Sequence, residues 1–283
     1  MEVDPVPVHT PIRPFCLDDP ETFVGEAEPR LTRARPPKRK PKAGVRLKVE
    51  PLGGGWYFRC KAALDFALAA VLLVLTAPVI FLTAVLVRAT SRGPAFYTQT
   101  RVGRDGRLFT IFKIRTMVHN CESLTGPRWS IPGDPRITGI GRFLRQTHLD
   151  ELPQLFNVLR GEMSLIGPRP ERPEFTAKLE RALPAYPERL RVRPGVTGLA
   201  QVHLPGDTSL ASVRLKLAHD LFYIQQLSPG LELRILFCTF LRVLGVSYES
   251  IRRLSGVPSE KIIERAVQVV MDGGPAAVWS HSA

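Results

Sequence analysis

FALAAVLLVLTAPVIFLTAVLV, residues 66–87, is a run of 22 residues without a charge, bounded by Asp65 and Arg88. As a helix it would extend about 33 Å, enough to match a hydrocarbon core of ~30 Å. It begins too far into the chain and runs too long for a secretory leader, so insertion in a membrane is the expectation. Pro78 lies near its middle, where it removes a backbone donor and crowds the preceding turn, predicting a break or strong kink at Ala77-Pro78. Both flanks are basic: eleven Lys/Arg against Glu50 from Pro29 to Lys61, and seven against Asp105 from Arg88 to Asn120. Basic flanks stay on the cytoplasmic side. A straight span cannot satisfy that at both ends, whereas a re-entrant helix-break-helix can.

The 283 residues suffice for one or two domains with a sizeable core. Lys and Arg exceed Asp and Glu by 39 − 26 = 13, so anionic partners are expected: nucleic acid, phospholipid or a phosphorylated substrate. The four cysteines, Cys16, Cys60, Cys121 and Cys238, are at least 44 positions apart, which excludes CxxC redox or zinc pairs and suits a reducing, cytosol-facing compartment. Ten of the 26 prolines fall in the first 51 residues, followed by Gly53-Gly54-Gly55, so residues 1–55 read as a disordered tail. Its basic half is either simply solvated or drawn to anionic phospholipid.

Beyond the apolar run, Ala95–Thr100 and Leu108–Arg115 are β-rich and joined by a Gly-containing turn, predicting a hairpin. Residues 118–138 read as an irregular loop. Ile140–Arg160 reads as a helix closed by Gly161, and Phe175–Ala185 and Leu210–Leu227 as further helices. Leu231–Leu244 is apolar over most of its circumference, as either a core helix or one lying in the bilayer surface.

Three motifs carry candidate chemistry. Asp150-Glu151 could be ordinary helix-start acids, with Pro153 in the first turn. The functional alternative is one carboxylate attacking an electrophile while its neighbour holds a divalent cation, among guanidinium groups that keep them ionised. Arg136, Arg142, Arg145 and Arg169 are near enough in sequence to supply those groups. Gly167-Pro168-Arg169-Pro170 fixes an arginine between two prolines, which is either a surface turn or a rigid phosphate-binding fork. Arg193-Pro194-Gly195-Val196-Thr197-Gly198 offers a cation, a hydroxyl and backbone amides in a second Gly/Pro loop. Lys113 and Arg115 alternate with Ile114 and so share a strand face, solvated or turned to an anion.

The ordered set FKIRTM (112–117), LDELPQLFNVLRGEMSLIGPRP (149–170) and RVRPGVTGLAQV (191–202), behind a Pro-broken apolar segment, strongly resembles the small monotopic bacterial phosphoglycosyl transferases, the bacterial sugar transferases. The resemblance covers about residues 56–245. It implies transfer of a phosphosugar from a nucleoside-diphosphate sugar, usually UDP-linked, to a polyprenyl phosphate such as undecaprenyl phosphate, with release of the nucleoside monophosphate. By motif position, Asp150 is implied as the nucleophile forming an acyl phosphosugar, Glu151 as the ligand of a Mg2+ or Mn2+ cofactor, and Arg169 as a phosphate-binding group. Arg136, Arg145, Lys113, Arg115 and Arg193 are the further phosphate-binding candidates. Members of that family commonly carry Ser-Pro at the helix break. Ala77-Pro78 departs from it, leaving Thr76 to bond a carbonyl of the preceding turn.

The expected fold is therefore α+β and helix-rich, with a re-entrant membrane helix anchoring a small cytoplasmic catalytic domain that has a β-hairpin and interfacial amphipathic helices. The expected divisions are a tail at 1–55, the membrane helix at 56–90, the catalytic domain at 91–247 and a C-terminal extension at 248–283. The expected location is the bacterial inner membrane, with the catalytic domain on its cytoplasmic face and downstream glycosyltransferases as further partners. The main rival is a membrane-bound glycosyltransferase using Asp150 as general base. A tethered nucleic-acid binder is disfavoured, because the basic stretch Arg30–Lys48 has no interleaved aromatics and Phe23 and Trp56 are the nearest.

Overall fold

The computed structural model describes residues 55–271 apart from 124, 125, 127–129, 131, 132 and 208. The expectations for the proline-rich tail and for Cys16 lie outside the described residues, as does the end of the expected C-terminal extension. Helix α1, Gly55–Thr90, contains the whole apolar run and is long and apolar enough to cross a membrane. It continues as helix through Ala77 and Pro78, so of the expected break or strong kink the break, as a loss of helical conformation, does not occur. Hydroxyls on both sides bond back within the helix, with Thr76 Oγ1 donating to Leu72 O (2.7 Å) and Thr83 Oγ1 to Val79 O (2.8 Å). The back-bond expected of Thr76 is thus present.

One stripe of α1 is packed on the globular body on both sides of Pro78. Tyr57, Asp65 and Ala69 are buried before it, and Ile80, Thr83 and Val87 after it, at spacings that share a helical face. Tyr57 and Ala69 join the main core with Leu155, Leu165, Tyr223 and Ile235. Ile80 and Val87 join a second cluster with Ile114 and Leu144. The opposite face leaves Val74, Leu75, Phe81 and Leu82 exposed.

The hairpin forms as expected: β1, Phe96–Val102, pairs antiparallel with β2, Leu108–Ile114, from Phe96↔Ile114 to Val102↔Leu108. The single helix expected over 140–160 is instead three pieces, α2 (Gly139–Gln146), a 3-10 segment (Leu149–Gln154) and α3 (Leu155–Leu159). The cause is His148, whose left-handed backbone (φ 58°, ψ 15°) turns the chain between the first two. Gly161, at φ 72°, follows α3 as the expected terminator.

Two three-residue strands escaped the sequence reading. β3 (Ser164–Ile166) and β4 (Gly195–Thr197) pair in parallel and lead directly into or through the two Gly/Pro motifs. Between them lie α4 (Pro173–Ala182) and a 3-10 turn (Tyr186–Arg191). Five more helices follow: α5 (Leu199–His203), α6 (Leu210–Gln225), α7 (Pro229–Val243), α8 (Tyr248–Leu254) and α9 (Glu260–Met271). α7 buries Leu231, Ile235 and Cys238 and exposes Leu233, Phe237 and Phe240. Ile251, Ile263 and Val267 are fully buried, so the described part of the C-terminal extension is packed into the body. Cys60, Cys121 and Cys238 are free.

Candidate active site

The long motif is held in place by Asn157, which has no exposed surface. Its Oδ1 accepts from the Phe112 amide (3.2 Å), while Nδ2 donates to Thr110 O and to Glu162 Oε2 (both 2.7 Å). The side chain thereby replaces a neighbouring strand along the free edge of β2 and ties α3 to it. That contact brings the residue after Phe112, Lys113, to the acids of the 3-10 segment. Lys113 Nζ donates to Glu151 Oε1 at 2.7 Å.

The second cation on Glu151 is Arg169, whose Nη2 donates to Oε1 at 2.7 Å and Nη1 to Oε2 at 3.4 Å. Its backbone is clamped at four successive carbonyls. Pro168 O accepts from Gly195 N, Arg169 O from Arg189 Nη2, Pro170 O from Arg101 Nη1 and Glu171 O from Val102 N, each at 2.9 Å. Arg189 is itself buried, with its guanidinium on Asp220 Oδ2 (2.7 Å) and on the Tyr186 hydroxyl (2.7 Å). The glycines of the two motifs are required by close approach: a Cβ on Gly195 would lie 2.1 Å from Gly167 N, and one on Gly198 2.1 Å from Gly167 O. A rigid backbone therefore presents one flexible guanidinium, whose side chain is 43% exposed while that of Lys113 is 15% exposed.

Asp150 is buried beside Glu151. Burial, and then the Glu151 charge, push its carboxyl up to about 6. Burial would raise Glu151 as well, but Arg169 and Lys113 outweigh it and hold that carboxyl well below the usual range. Adjacent acids are thus driven apart in proton affinity by unequal shares of the surrounding positive charge. Arg145 belongs to the same electrostatic neighbourhood as Asp150, anchored by Nε to Thr116 Oγ1 (2.8 Å).

The structure therefore brings together Asp150, Glu151, Lys113, Arg145 and Arg169. Arg136 stands one step away, forked onto buried Asp134 (Nη2 to Oδ2, 2.7 Å). Arg115 is drawn elsewhere, with Nη2 donating to Ser91 O (2.9 Å) and Ser91 Oγ (2.8 Å) at the end of α1, so its part is to fix that helix. The Arg193 guanidinium lies beside Gly161, where a built Cβ would sit 3.9 Å from its Nη2. Asn157, Arg189 and Arg101 are positioning residues that the sequence reading missed, since their partners are carbonyls and amides invisible to motif chemistry.

The donor set suits a hard cation shared with a ligand. Among the described residues no group of three or more His, Cys, Asp and Glu side chains converges. Mg2+ characteristically takes only one or two carboxylates and completes its shell with water and substrate phosphate. Glu151 and Asp150 could supply that protein share, and Mn2+ would accept the same donors.

The sequence model described as bacterial sugar transferase matches residues 56–246. The chain belongs to that family. Among relatives of this chain, the UDP-N-acetylgalactosamine-undecaprenyl-phosphate N-acetylgalactosaminephosphotransferase of Aeromonas hydrophila is 40% identical over 188 residues, covering 66% of this chain and 44% of the relative. A UDP-glucose:undecaprenyl-phosphate glucose-1-phosphate transferase of Caulobacter vibrioides is 44% identical over 181 residues, 63% of this chain and 67% of the relative. An exopolysaccharide production protein of Rhizobium leguminosarum bv. phaseoli is 39% identical over 184 residues, 63% of this chain and 92% of the relative. The chain thus aligns with less than half the length of the Aeromonas protein but with most of the Rhizobium one.

Proposed function

We propose that this sugar transferase moves a phosphosugar from a nucleoside-diphosphate sugar, with uridine as the nucleoside, to a polyprenyl phosphate such as undecaprenyl phosphate, by way of an aspartyl phosphosugar. The observation that carries this reading is the buried Asp150-Glu151 pair ringed by Lys113, Arg145 and Arg169. A carboxylate oxygen of Asp150 attacks the sugar-proximal phosphorus; the bond from that phosphorus to the bridging oxygen breaks, and UMP leaves with the electron pair. The polyprenyl phosphate oxygen then attacks the same phosphorus and returns Asp150 as carboxylate. Arg169, on its rigid loop, grips phosphate oxygens, and Lys113 and Arg145 offset the charge that accumulates on them. Mg2+ held by Glu151 would supply Lewis-acid neutralisation of the diphosphate.

We place the enzyme on the cytoplasmic face of the bacterial inner membrane, with α1 kinked at Pro78 so that it enters and leaves on the same side. In support, residues before and after Pro78 pack on one globular body, an arrangement difficult for a straight span whose ends lie on opposite sides. The exposed Leu233, Phe237 and Phe240 of α7 suit a helix lying in the interface. In this arrangement 56–90 is the anchor and 91–247 the catalytic part, active at the start of exopolysaccharide, O-antigen or related glycoconjugate assembly, where downstream glycosyltransferases extend its product.

The carboxyl of Asp150, raised to about 6, would also suit a general base, the one rival with an observation in its favour. Mixing detergent-solubilised protein with UDP-sugars in the absence of lipid separates the two. The covalent route predicts UMP release close to one equivalent and a phosphosugar mass on the peptide carrying Asp150. No UMP before polyprenyl phosphate is added would refute it.

A further inference from the structure

Glu151, the acid proposed to hold the divalent cation, is already engaged. Its Oε1 accepts from Lys113 Nζ and Arg169 Nη2 at 2.7 Å each, and its Oε2 accepts from Arg169 Nη1 at 3.4 Å. A carboxylate offers about four lone-pair directions, so three are in use, and a cation bound there must approach to ~2.1 Å through two positive side chains. The formal charge of the cluster points the same way. Lys113, Arg145 and Arg169 against Asp150 and Glu151 give 3 − 2 = +1, with all five groups in one electrostatic neighbourhood. A divalent cation alone would raise this to +3, and a nucleoside diphosphate sugar with two negative charges returns it to +1.

The two cations on Glu151 are not equally free to leave. Arg169 has a 43% exposed side chain on a backbone fixed at its carbonyls, so the guanidinium can swing to an incoming phosphate without the loop moving. Lys113 is largely buried on β2 and has little room to follow. We propose that Arg169 acts on Glu151 as a place-holder that a divalent cation displaces only together with a diphosphate, while Lys113 stays and weakens the hold of Glu151 on a cation arriving alone, so that cation and nucleotide bind as one coupled unit and each binds weakly alone. This rests on the phosphosugar-transfer reading above and adds an order to it: the cation arrives with the nucleotide rather than residing in the free enzyme. By linkage the coupling is reciprocal, and couplings of this kind typically change affinity by 5- to 150-fold.

The test uses the full chain in detergent micelles, Mn2+ as the cation and UDP as the diphosphate. The readout is water-proton relaxation enhancement, which separates Mn2+ held by slowly tumbling protein from Mn2+ on UDP in solution. The expected result is that Mn2+ binds the protein at least tenfold more tightly with UDP than without it. Glu151→Gln should abolish the protein-bound signal, and Lys113→Met should tighten Mn2+ binding to the UDP-free protein severalfold. Arg169→Gln provides the same comparison should Lys113→Met not fold. Equal Mn2+ affinity with and without UDP overturns the coupling while leaving phosphosugar transfer intact. A full signal in Glu151→Gln overturns the role of Glu151. Failure of UDP to bind under either condition refutes the underlying reading, and the coupling with it.

Discussion

Replacing Asn157 by alanine tests the link between β2 and the acidic pair, and the cost can be worked from its three contacts. Its bonds to the Phe112 amide and to Thr110 O are neutral and only partly buried, at ~0.5–1.5 kcal/mol each. The bond to Glu162 Oε2 engages a charge, at ~1.5–3 kcal/mol. Water can reach the exposed side of Thr110 and recover part of the loss, so the net expectation is ~3 kcal/mol. For a protein of this size that corresponds to a fall of ~6–12 °C in melting temperature. Asn157→Asp should be as harmful or worse, since it keeps the acceptor for Phe112 but sets a carboxylate against Glu162 and Thr110 O. Because Lys113 follows Phe112, both variants should also lose UMP-forming activity at temperatures where they remain folded. Differential scanning fluorimetry of the solubilised protein, with activity measured well below each midpoint, provides the check. A melting temperature within ~2 °C of the parent for Asn157→Ala would show that the edge of β2 is held by something else.

Asp150→Asn should remove phosphosugar transfer with the fold retained, as judged by melting temperature, and near-parent turnover would eliminate the covalent route. With the Asp150 carboxyl raised to about 6, the nucleophilic form declines as pH falls below that value, so kcat/KM should drop about tenfold per pH unit there. The stability effect has the opposite sign: between pH ~4 and ~6 the native state holds a proton that the unfolded chain has lost, so this group weakens the fold as pH rises through that window. Glu151, held low, stabilises above the ordinary carboxyl range and loses that contribution as pH falls. Arg169→Lys should cost ~2–4 kcal/mol in transition-state stabilisation because a point charge replaces a planar fork, and unchanged kcat/KM would make the arginine structural. Single cysteines at positions 50 and 105, in a background without native cysteines, should both be shielded from an impermeant thiol reagent in intact cells and react after permeabilisation. Labelling of position 50 from outside would rule out the same-side topology.

The hairpin, α4, α6 and α7 were legible because each carries its period or its turn residues over enough positions to be seen. The 140–160 region misled because Leu144, Leu155 and Val158 retain helical-looking apolar spacing across a turn that only the backbone of His148 reveals. β3 and β4 were hidden because three residues are too few to show alternation, and their pairing depends on glycines meeting across nearly thirty positions. In the candidate site, Asp150, Glu151 and Arg169 could be picked out because unusual residue types sit in constrained settings. The different destinations of Lys113 and Arg115 could not, since they depend on Glu151 and Ser91, which approach from opposite directions in the chain. Pro78 predicted a break or strong kink from local sterics alone, and the chain stays helical through it, with the Thr76 hydroxyl bonded to Leu72 O in the turn before it.

The four carbonyl clamps on residues 168–171 bear on how this protein can be redesigned. The donors come from Arg101, Val102, Arg189 and Gly195, so the aim of one guanidinium is encoded by segments from position 101 to position 195. The Gly-Pro-Arg-Pro tetrapeptide is therefore not a portable cassette. Grafted into another scaffold it would carry the arginine but none of its bearings. Conversely, chimeras that exchange nucleotide-sugar preference between relatives should take β1, the Tyr186–Arg191 turn and β4 from one parent, because a junction among them would mix two half-built mounts. Substitutions of Arg101 and Arg189 should then combine non-additively, each loosening the same four residues.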